Sequence, residues 1–127
     1  MIVAGIGCGR DTAAAEIVAL IDVALKQFNI APGDLAALAT EDTKADEPGL
    51  IEAAQTLSLP LLRCSLAELD TVEDRLLTRS ERVLALKGTA SIAEAAALVG
   101  AGPNAKLLGP RITSGRITCA IAKGHAT

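Results

Sequence analysis

Short apolar runs alternate with helix-periodic stretches along this chain, and the alternation predicts strands and helices in turn. Residues 2–6, 35–39 and 60–64 have the length and composition of short buried strands. Between them, apolar residues recur at helical spacing, and the first such stretch supplies a complete buried stripe: Ile17, Leu20, Ile21, Ala24, Leu25 and Phe28. Strands joined through helices by short connections predict parallel pairing with right-handed crossovers.

Capping residues mark where the helices begin. We expect Asp11 or Thr12 to cap the first helix and Asp46 to cap the second, because short polar side chains accept hydrogen bonds from the free N–H groups of a first turn. Two Ser-x-x-Glu sequences, beginning at Ser65 and Ser91, predict reciprocal capping boxes at two further helices. Each of these positions is thus a predicted helix N-terminus.

The second half of the chain ends in a predicted β-hairpin. Residues 106–112 and 116–122 form its strands, and residues 113–115 form its turn. Before the hairpin, residues 71–82 are the most polar and least periodic stretch, which predicts a surface loop. One or two helical turns are expected at residues 80–86.

The predicted fold class is α/β: a single three-layer α/β/α domain over residues 1–127, with a mixed sheet of parallel N-terminal strands and a C-terminal antiparallel hairpin. Half of the residues are apolar, yet Phe28 is the only aromatic one, so the core must consist of Ile, Leu, Val and Ala. Without Tyr or Trp the chain lacks stacking platforms for single strands, and its net charge of −3 offers no basic surface to duplex DNA. We therefore expect no nucleic-acid partner.

The sequence also argues against a membrane or metal role. No apolar stretch approaches the roughly 18 residues of a membrane span, and residues 2–6 end too early for a signal peptide. Cys8, Cys64 and Cys119 are odd in number and widely spaced, which favours reduced thiols. His125 is the only histidine, so clustered zinc ligands are lacking. We expect a cytoplasmic protein without metal or cofactor.

The most charged segment, residues 40–50, follows the second strand, where open α/β sheets usually hold their ligands. Lys44 lies there among four acids. Either this is a solvated charged loop, or Lys44 contacts ligand carboxylates and is oriented by its neighbours. Asp46 and Glu47 are the candidates for acid–base catalysis. No nucleophile accompanies them in the sequence, so the catalytic signal is weak.

Glycines 5, 7 and 9 between the first strand and the first helix allow three interpretations. A dinucleotide fingerprint would need a glycine where Arg10 stands. A plain tight turn is the simplest alternative. The third is an anion site in which N–H groups at the helix start act together with Arg10.

A second helix start offers a similar choice. Gly88, Thr89 and Ser91 serve chiefly as a helix cap, but their hydroxyls and free N–H groups could also bind an anion. Arg111 and Arg116 flank the hairpin turn, and each is either a surface residue or a ligand contact. If the cations Arg10, Lys44, Lys87 and Arg111 converge with these helix starts, the site would suit a polycarboxylate.

Four segments, residues 5–8, 39–50, 88–97 and 114–122, together resemble the CobE/CbiG C-terminal family of cobalamin biosynthesis. The pattern Thr-x-x-x-Lys-x-x-Glu-x-Gly-Leu within the second segment is the most specific part. The resemblance extends from residue 2 to residue 123. The polar residues that match are Cys8, Thr40, Lys44, Glu47, Ser91, Glu94 and Thr118.

The resemblance implies a role in corrin ring synthesis. In enzymes of the anaerobic route, a similar domain is the C-terminal half of a hydrolase that opens a cobalt-precorrin δ-lactone and releases acetaldehyde, and we expect this chain to lack the other half. The first hypothesis is a protein that binds a precorrin or corrinoid polycarboxylate. Its expected ligand-binding residues are Gly7, Cys8, Arg10, Thr40, Lys44, Gly88, Thr89, Ser91 and Arg111.

Two alternatives stay open beside this hypothesis. The first is a lactone hydrolase with Glu47 or Asp46 as the base. The second is a non-catalytic subunit that binds another enzyme of the cobalamin pathway.

Overall fold

The computed structural model describes residues 1–78 and 91–124. The predicted helical turns at residues 80–86 therefore lie outside the described residues. Short 3₁₀ turns precede β2, follow β2 and follow α3. The strands and longer helices are β1 (Ile2–Cys8), α1 (Ala14–Gln27), β2 (Leu35–Glu41), α2 (Pro48–Leu57), β3 (Leu61–Cys64), α3 (Leu66–Asp70), α4 (Ile92–Ala101), β4 (Lys106–Leu107), β5 (Ile112–Ser114) and β6 (Ile117–Lys123).

These strands form one mixed sheet in the order β3-β2-β1-β6-β4, with β5 also paired to β6. β1, β2 and β3 are parallel, whereas β6 runs antiparallel to β1 and to both β4 and β5. The last long strand thus lies beside the first. The predicted mixed sheet is confirmed.

The C-terminal hairpin is interrupted on its outer strand. Leu107 pairs with Ala122 and Ile112 pairs with Cys119, so the outer strand carries two more residues than β6 between these pairs. The extra residues bulge out between β4 and β5. Ser114 pairs with Ile117, so the turn consists of residues 115–116 and not of 113–115 as the sequence predicted. Glycine at position 115 permits this tighter turn because its φ is +57°.

Alternating residues divide the core into two layers on opposite faces of the sheet. Ile6 and Ile121 pack on the side that carries α1 and α2. Val3 and Ala122 pack on the other side, against α4, with α3 and Val72 in the same cluster. The three-layer arrangement is confirmed, and it follows from the two-residue period of each strand.

Small residues bring α4 close to the sheet. Gly5 of β1 lies against the backbone of Ala93 and Ala97, and a Cβ at Gly5 would collide with the carbonyl oxygen of Ala93. Ala120 and Ala122 of β6 face the same helix. Gly5 therefore serves the packing of α4, which is distant in sequence, and not the turn into α1.

The cap predicted for α1 is wrong, and the cap predicted for α3 is confirmed. α1 begins after Ala13, which has no side-chain cap, because the Thr12 hydroxyl donates to the carbonyl of Gly9 at 2.7 Å instead. Asp11 adopts a positive φ of 58° in the preceding turn and likewise does not cap. At α3, Ser65 makes the full capping box with the glutamate three residues later.

Candidate functional site

Two loops meet at the carboxyl ends of the parallel strands. β1 and β2 are parallel neighbours, so the loops that follow them emerge at the same edge of the sheet. The backbone N–H of Asp11 in the first loop donates to Glu47 Oε2 in the second, with N···O 3.4 Å. Gly49 lies so close to the carbonyl oxygen of Thr12 that a Cβ there would collide with it. The glycine turn and the acidic loop are therefore in contact.

The half-buried thiol of Cys8 lies beside this contact. Burial and the carboxylate of Glu47 raise the pKa of the thiol, while the ammonium of Lys44 lowers it. Both charged side chains are thus within electrostatic range of Cys8. Lys44 is half-buried and forms no ion pair or side-chain hydrogen bond with the residues that the structure describes. Its ammonium therefore lies at the edge of the sheet without an acidic partner in the described part of the chain.

Asp46 is held by an arginine of β3. Arg63 Nη1 lies 3.0 Å from Asp46 Oδ1, and Arg63 Nε lies 2.7 Å from Asp42 Oδ1. These interactions hold the pKa of the Asp46 carboxyl below its ordinary value. Asp46 is therefore not the cap of α2, whose N-cap residue is Glu47 without a side-chain hydrogen bond. Arg63 was not among the residues predicted from the sequence. Its position in the third strand, next to the strand that leads into the acidic loop, is the signal that could have identified it.

Thr40 and Gly7 lie inside the sheet. Thr40 is fully buried, and its hydroxyl donates to the carbonyl of Ile6 at 2.7 Å. Gly7 faces the hydroxyl of Thr118 on β6, which approaches the Gly7 carbonyl at 3.4 Å. A Cβ at Gly7 would lie 4.0 Å from Cβ of Ile92. The first turn of α4 therefore stands over the carboxyl end of β1.

Ser91 directly precedes α4, and the backbone of Arg111 is bonded to the first turn of that helix. The fully buried carboxylate of Glu94 accepts hydrogen bonds from the N–H groups of Leu77, Thr78 and Arg111 and from the Thr78 hydroxyl, at 2.7 to 2.9 Å. The carboxylate of Glu94 is thus engaged by these donors, and Ser91 makes no side-chain cap hydrogen bond. The capping box predicted at Ser91 is therefore wrong. Ser91 Oγ is buried and has no hydrogen-bond partner within the described part of the chain. Arg111 is half-buried, with its backbone bound to Glu94.

Two arginines border the glycine turn. The guanidinium of Arg116 covers Gly9, where an added Cβ would lie 2.7 Å from Nη2. Gly9 also donates its N–H to the carbonyl of Arg116 at 3.2 Å. Arg10 follows and is exposed, and neither arginine pairs with an acid among residues 1–78 and 91–124. Pairing of Cys8 with Ile117 brings Arg116 to this edge.

Two of the predicted ligand-binding residues, Gly88 and Thr89, lie outside the described residues.

Within the described ranges, no group of three or more His, Cys, Asp or Glu side chains is arranged to hold a metal ion. None of the helices that the structure describes has both the length and the hydropathy of a membrane span.

Comparison with known proteins identifies the family. A family model described as "Cobalamin synthesis G C-terminus" matches residues 2–122. The chain belongs to this family. It is 43% identical over 126 residues to Protein CobE of Sinorhizobium sp., covering 99% of this chain and 81% of that protein. The resemblance stated from the sequence is confirmed.

Structural comparison agrees with this result. The fold matches the crystal structure of CobE, a protein from the cobalamin (vitamin B12) biosynthetic pathway, with a TM-score of 0.91 and 39% identity, covering 96% of this chain and 89% of that chain. The chain is thus a cobalamin biosynthesis protein of the CobE type.

A longer relative has a named activity. Cobalt-precorrin-5A hydrolase of Priestia megaterium is 30% identical over 118 residues, which cover 93% of this chain but 31% of the hydrolase. This chain therefore corresponds to about a third of that enzyme, and the similarity by itself assigns it no reaction.

Proposed function

We propose that this cobalamin biosynthesis protein binds a precorrin intermediate through the carboxylates of the ligand. Precorrins carry acetate and propionate side chains around a macrocycle, so a protein that holds one needs several cations placed at one surface. Charge-assisted hydrogen bonds from lysine and arginine to carboxylates are shorter and stronger than neutral ones. The site that we propose is the carboxyl edge of the sheet, between the loops that follow β1 and β2.

The observation that carries the proposal is a set of cations without acidic partners. Arg10, Lys44 and Arg116 belong to three different segments, yet they border the same end of β1. None forms an ion pair or a side-chain hydrogen bond with the described residues. Arg63 at the same edge differs from these three cations, because it forms ion pairs with two aspartates. The side chains of Arg10, Lys44 and Arg116 are therefore available to pair with the carboxylates of a ligand.

The neighbouring groups supply polar contacts for the same ligand. At the start of α4, which stands over Gly7, the hydroxyl of Ser91 is buried and has no hydrogen-bond partner among the residues that the structure describes. We include the half-buried thiol of Cys8 and the side chain of Arg111 in the proposed site, and Gly88 and Thr89 stay predicted contacts. Thr40 contributes indirectly, since its hydroxyl bonds β2 to β1 and so helps to fix the strand that leads into the turn with Lys44.

The test is a visible-absorbance titration of the protein with cobyrinic acid, a corrin whose side chains end in carboxylates. The chain contains no Trp or Tyr, so the probe supplies the signal. Lys44→Ala should weaken binding about tenfold, the loss expected for one charge-assisted contact. Lys106→Ala is the matched control, because Lys106 is an exposed lysine of β4 at the opposite end of β6. Its affinity should equal that of the wild type.

Two outcomes would overturn the proposal. One is the absence of saturable binding by the wild-type protein. The other is an equal effect of Lys44→Ala and Lys106→Ala, which would indicate attraction by overall charge and not by this edge of the sheet.

A second candidate function is hydrolysis, favoured by the place of Glu47. This half-buried carboxylate lies beside Cys8, accepts the Asp11 N–H, and occurs in a chain similar to a cobalt-precorrin-5A hydrolase. Asp46 is a weaker base, because Arg63 stabilises its ionised form. Incubation with cobalt-precorrin-5A should then release acetaldehyde, and Glu47→Gln should abolish the release. Unchanged turnover in that variant would eliminate Glu47 as the base.

A further inference from the structure

A groove of about 650 Å³ runs between α1 and the β5–β6 hairpin, next to the proposed site. This volume is within the range of about 300–1,000 Å³ that small-molecule sites occupy. Its apolar lining includes Val23, whose surface is 50% exposed, a high value for a valine on a helix that otherwise packs well. The other apolar side chains that line it are Ala19, Leu20, Ile112 and Ile117.

Four charged side chains also line the groove: the cations Arg10 and Arg116 and the acids Asp11 and Glu16. Neither acid forms an ion pair with either arginine in the described part of the chain. The arginines also adjoin Gly9, the residue after Cys8. The groove is therefore continuous with the proposed site through this turn.

We infer that the groove receives the ring of the corrin ligand, with the peripheral carboxylates of that ring paired to Arg10 and Arg116. This inference rests on the proposed function and names a second surface for the same ligand. A corrin combines apolar ring faces with a rim of carboxylates, and the groove combines an apolar lining with two guanidinium groups that form no ion pair with the described residues. Arginine suits this rim because its planar fork binds a carboxylate through two hydrogen bonds.

The groove explains how Lys44 and the arginines serve one ligand. Lys44 lies in the turn between β2 and α2, whereas Arg116 belongs to the hairpin and lies over Gly9. A single acetate cannot engage both sets of cations, but a macrocycle with carboxylates around its rim can extend across the turn. Ring contact with the groove then adds apolar burial that a small polycarboxylate such as citrate lacks.

The experiment is the same cobyrinic acid titration on two pairs of variants. Arg116→Gln removes a cation from the groove, and Lys123→Gln removes an exposed cation from the far end of β6. Val23→Glu places a carboxylate in the apolar lining, and Gln27→Glu adds the same charge to exposed surface of α1 outside the groove. Far-UV circular dichroism and urea unfolding verify that all four variants fold.

The expected result is a loss of affinity of about tenfold for Arg116→Gln and at least that much for Val23→Glu, with both controls unchanged. If the wild type binds and Lys44→Ala weakens binding while both groove variants bind normally, the groove inference is wrong and the proposed function stands. If the wild type does not bind at all, the proposed function fails and the groove inference fails with it. Equal losses in the groove variants and their controls would also refute the inference.

Discussion

The carboxylate of Glu94 accepts the backbone N–H of Arg111 at 2.9 Å, and this bond ties the first turn of α4 to the bulge between β4 and β5. The same carboxylate binds the backbone of Leu77 and Thr78. One fully buried side chain therefore joins three segments that are remote in sequence. It does so at the helix start that stands over the end of β1.

Replacement of Glu94 should destabilise the fold. Glu94→Ala leaves three partly buried N–H donors and the hydroxyl of Thr78 without their acceptor, and unsatisfied buried donors cost about 1–3 kcal/mol each. We expect the free energy of unfolding to fall by roughly 3 kcal/mol, since part of the region can rehydrate. Urea unfolding followed by far-UV circular dichroism measures this loss. Glu52→Ala, on the exposed surface of α2, should change stability by less than about 0.5 kcal/mol. Similar stability of the two variants would contradict the structural role of Glu94.

Thr40→Val should affect stability and leave ligand affinity nearly unchanged. The substitution keeps the shape of the side chain but removes the hydrogen bond to the carbonyl of Ile6, which is worth about 1 kcal/mol. Urea unfolding and the cobyrinic acid titration, run on the same preparation, separate the two effects. A tenfold loss of affinity with normal stability would instead place the hydroxyl in direct contact with the ligand.

Alkylation of Cys8 should report the charges of the site. Burial and Glu47 raise the pKa of this thiol, so less thiolate is present at a given pH than in a free cysteine, and the thiolate is the reactive form. Glu47→Gln should therefore accelerate modification by iodoacetamide near neutral pH. Lys44→Ala should slow it, because the ammonium lowers the thiol pKa. The measurement is the rate of mass increase as a function of pH.

The other two cysteines serve as internal controls for this experiment. Burial raises the pKa of Cys64 to about 11 and that of Cys119 to about 12, and both are almost inaccessible. Peptide mapping of the native protein should locate the first alkyl group on Cys8. If both Glu47→Gln and Lys44→Ala alter the rate in the same direction, the inferred electrostatics are incorrect.

Acid titration should distinguish Asp46 from an unpaired aspartate. Arg63 stabilises the ionised carboxylate, so the Asp46 pKa should lie below the ordinary value of about 3.9. The Asp46 pKa is lower in the folded protein than in the unfolded chain. The Asp46–Arg63 ion pair is therefore complete above the unfolded-state pKa and is lost as the pH falls through the folded-state pKa. Carbon-13 NMR of the side-chain carboxyl measures the midpoint. Arg63→Gln should raise that midpoint, and an identical midpoint in both proteins would contradict the pairing.

Local and periodic features of this protein were determined by the sequence. The two-residue period of β6 places Cys119 and Ile121 on the face that carries α1, and Ala120 and Ala122 on the face that carries α4. The capping box at Ser65 also formed as predicted, because its partners lie within one exposed helical turn. Such features depend on residues a few positions apart, whose geometry the local backbone fixes. The matched segments likewise identified the family from the sequence alone.

The tertiary structure decided which partner each polar group takes. The Ser-x-x-Glu sequence at Ser91 matches that at Ser65, yet Glu94 is buried and bonds to distant backbone groups, so no capping box forms there. Arg116 adjoins Gly9 because the last long strand pairs with the first. The order of the strands determines which of these segments meet, and hydrogen-bond donors and acceptors in buried regions then pair with the nearest group in space. That choice among distant partners is not encoded in local spacing.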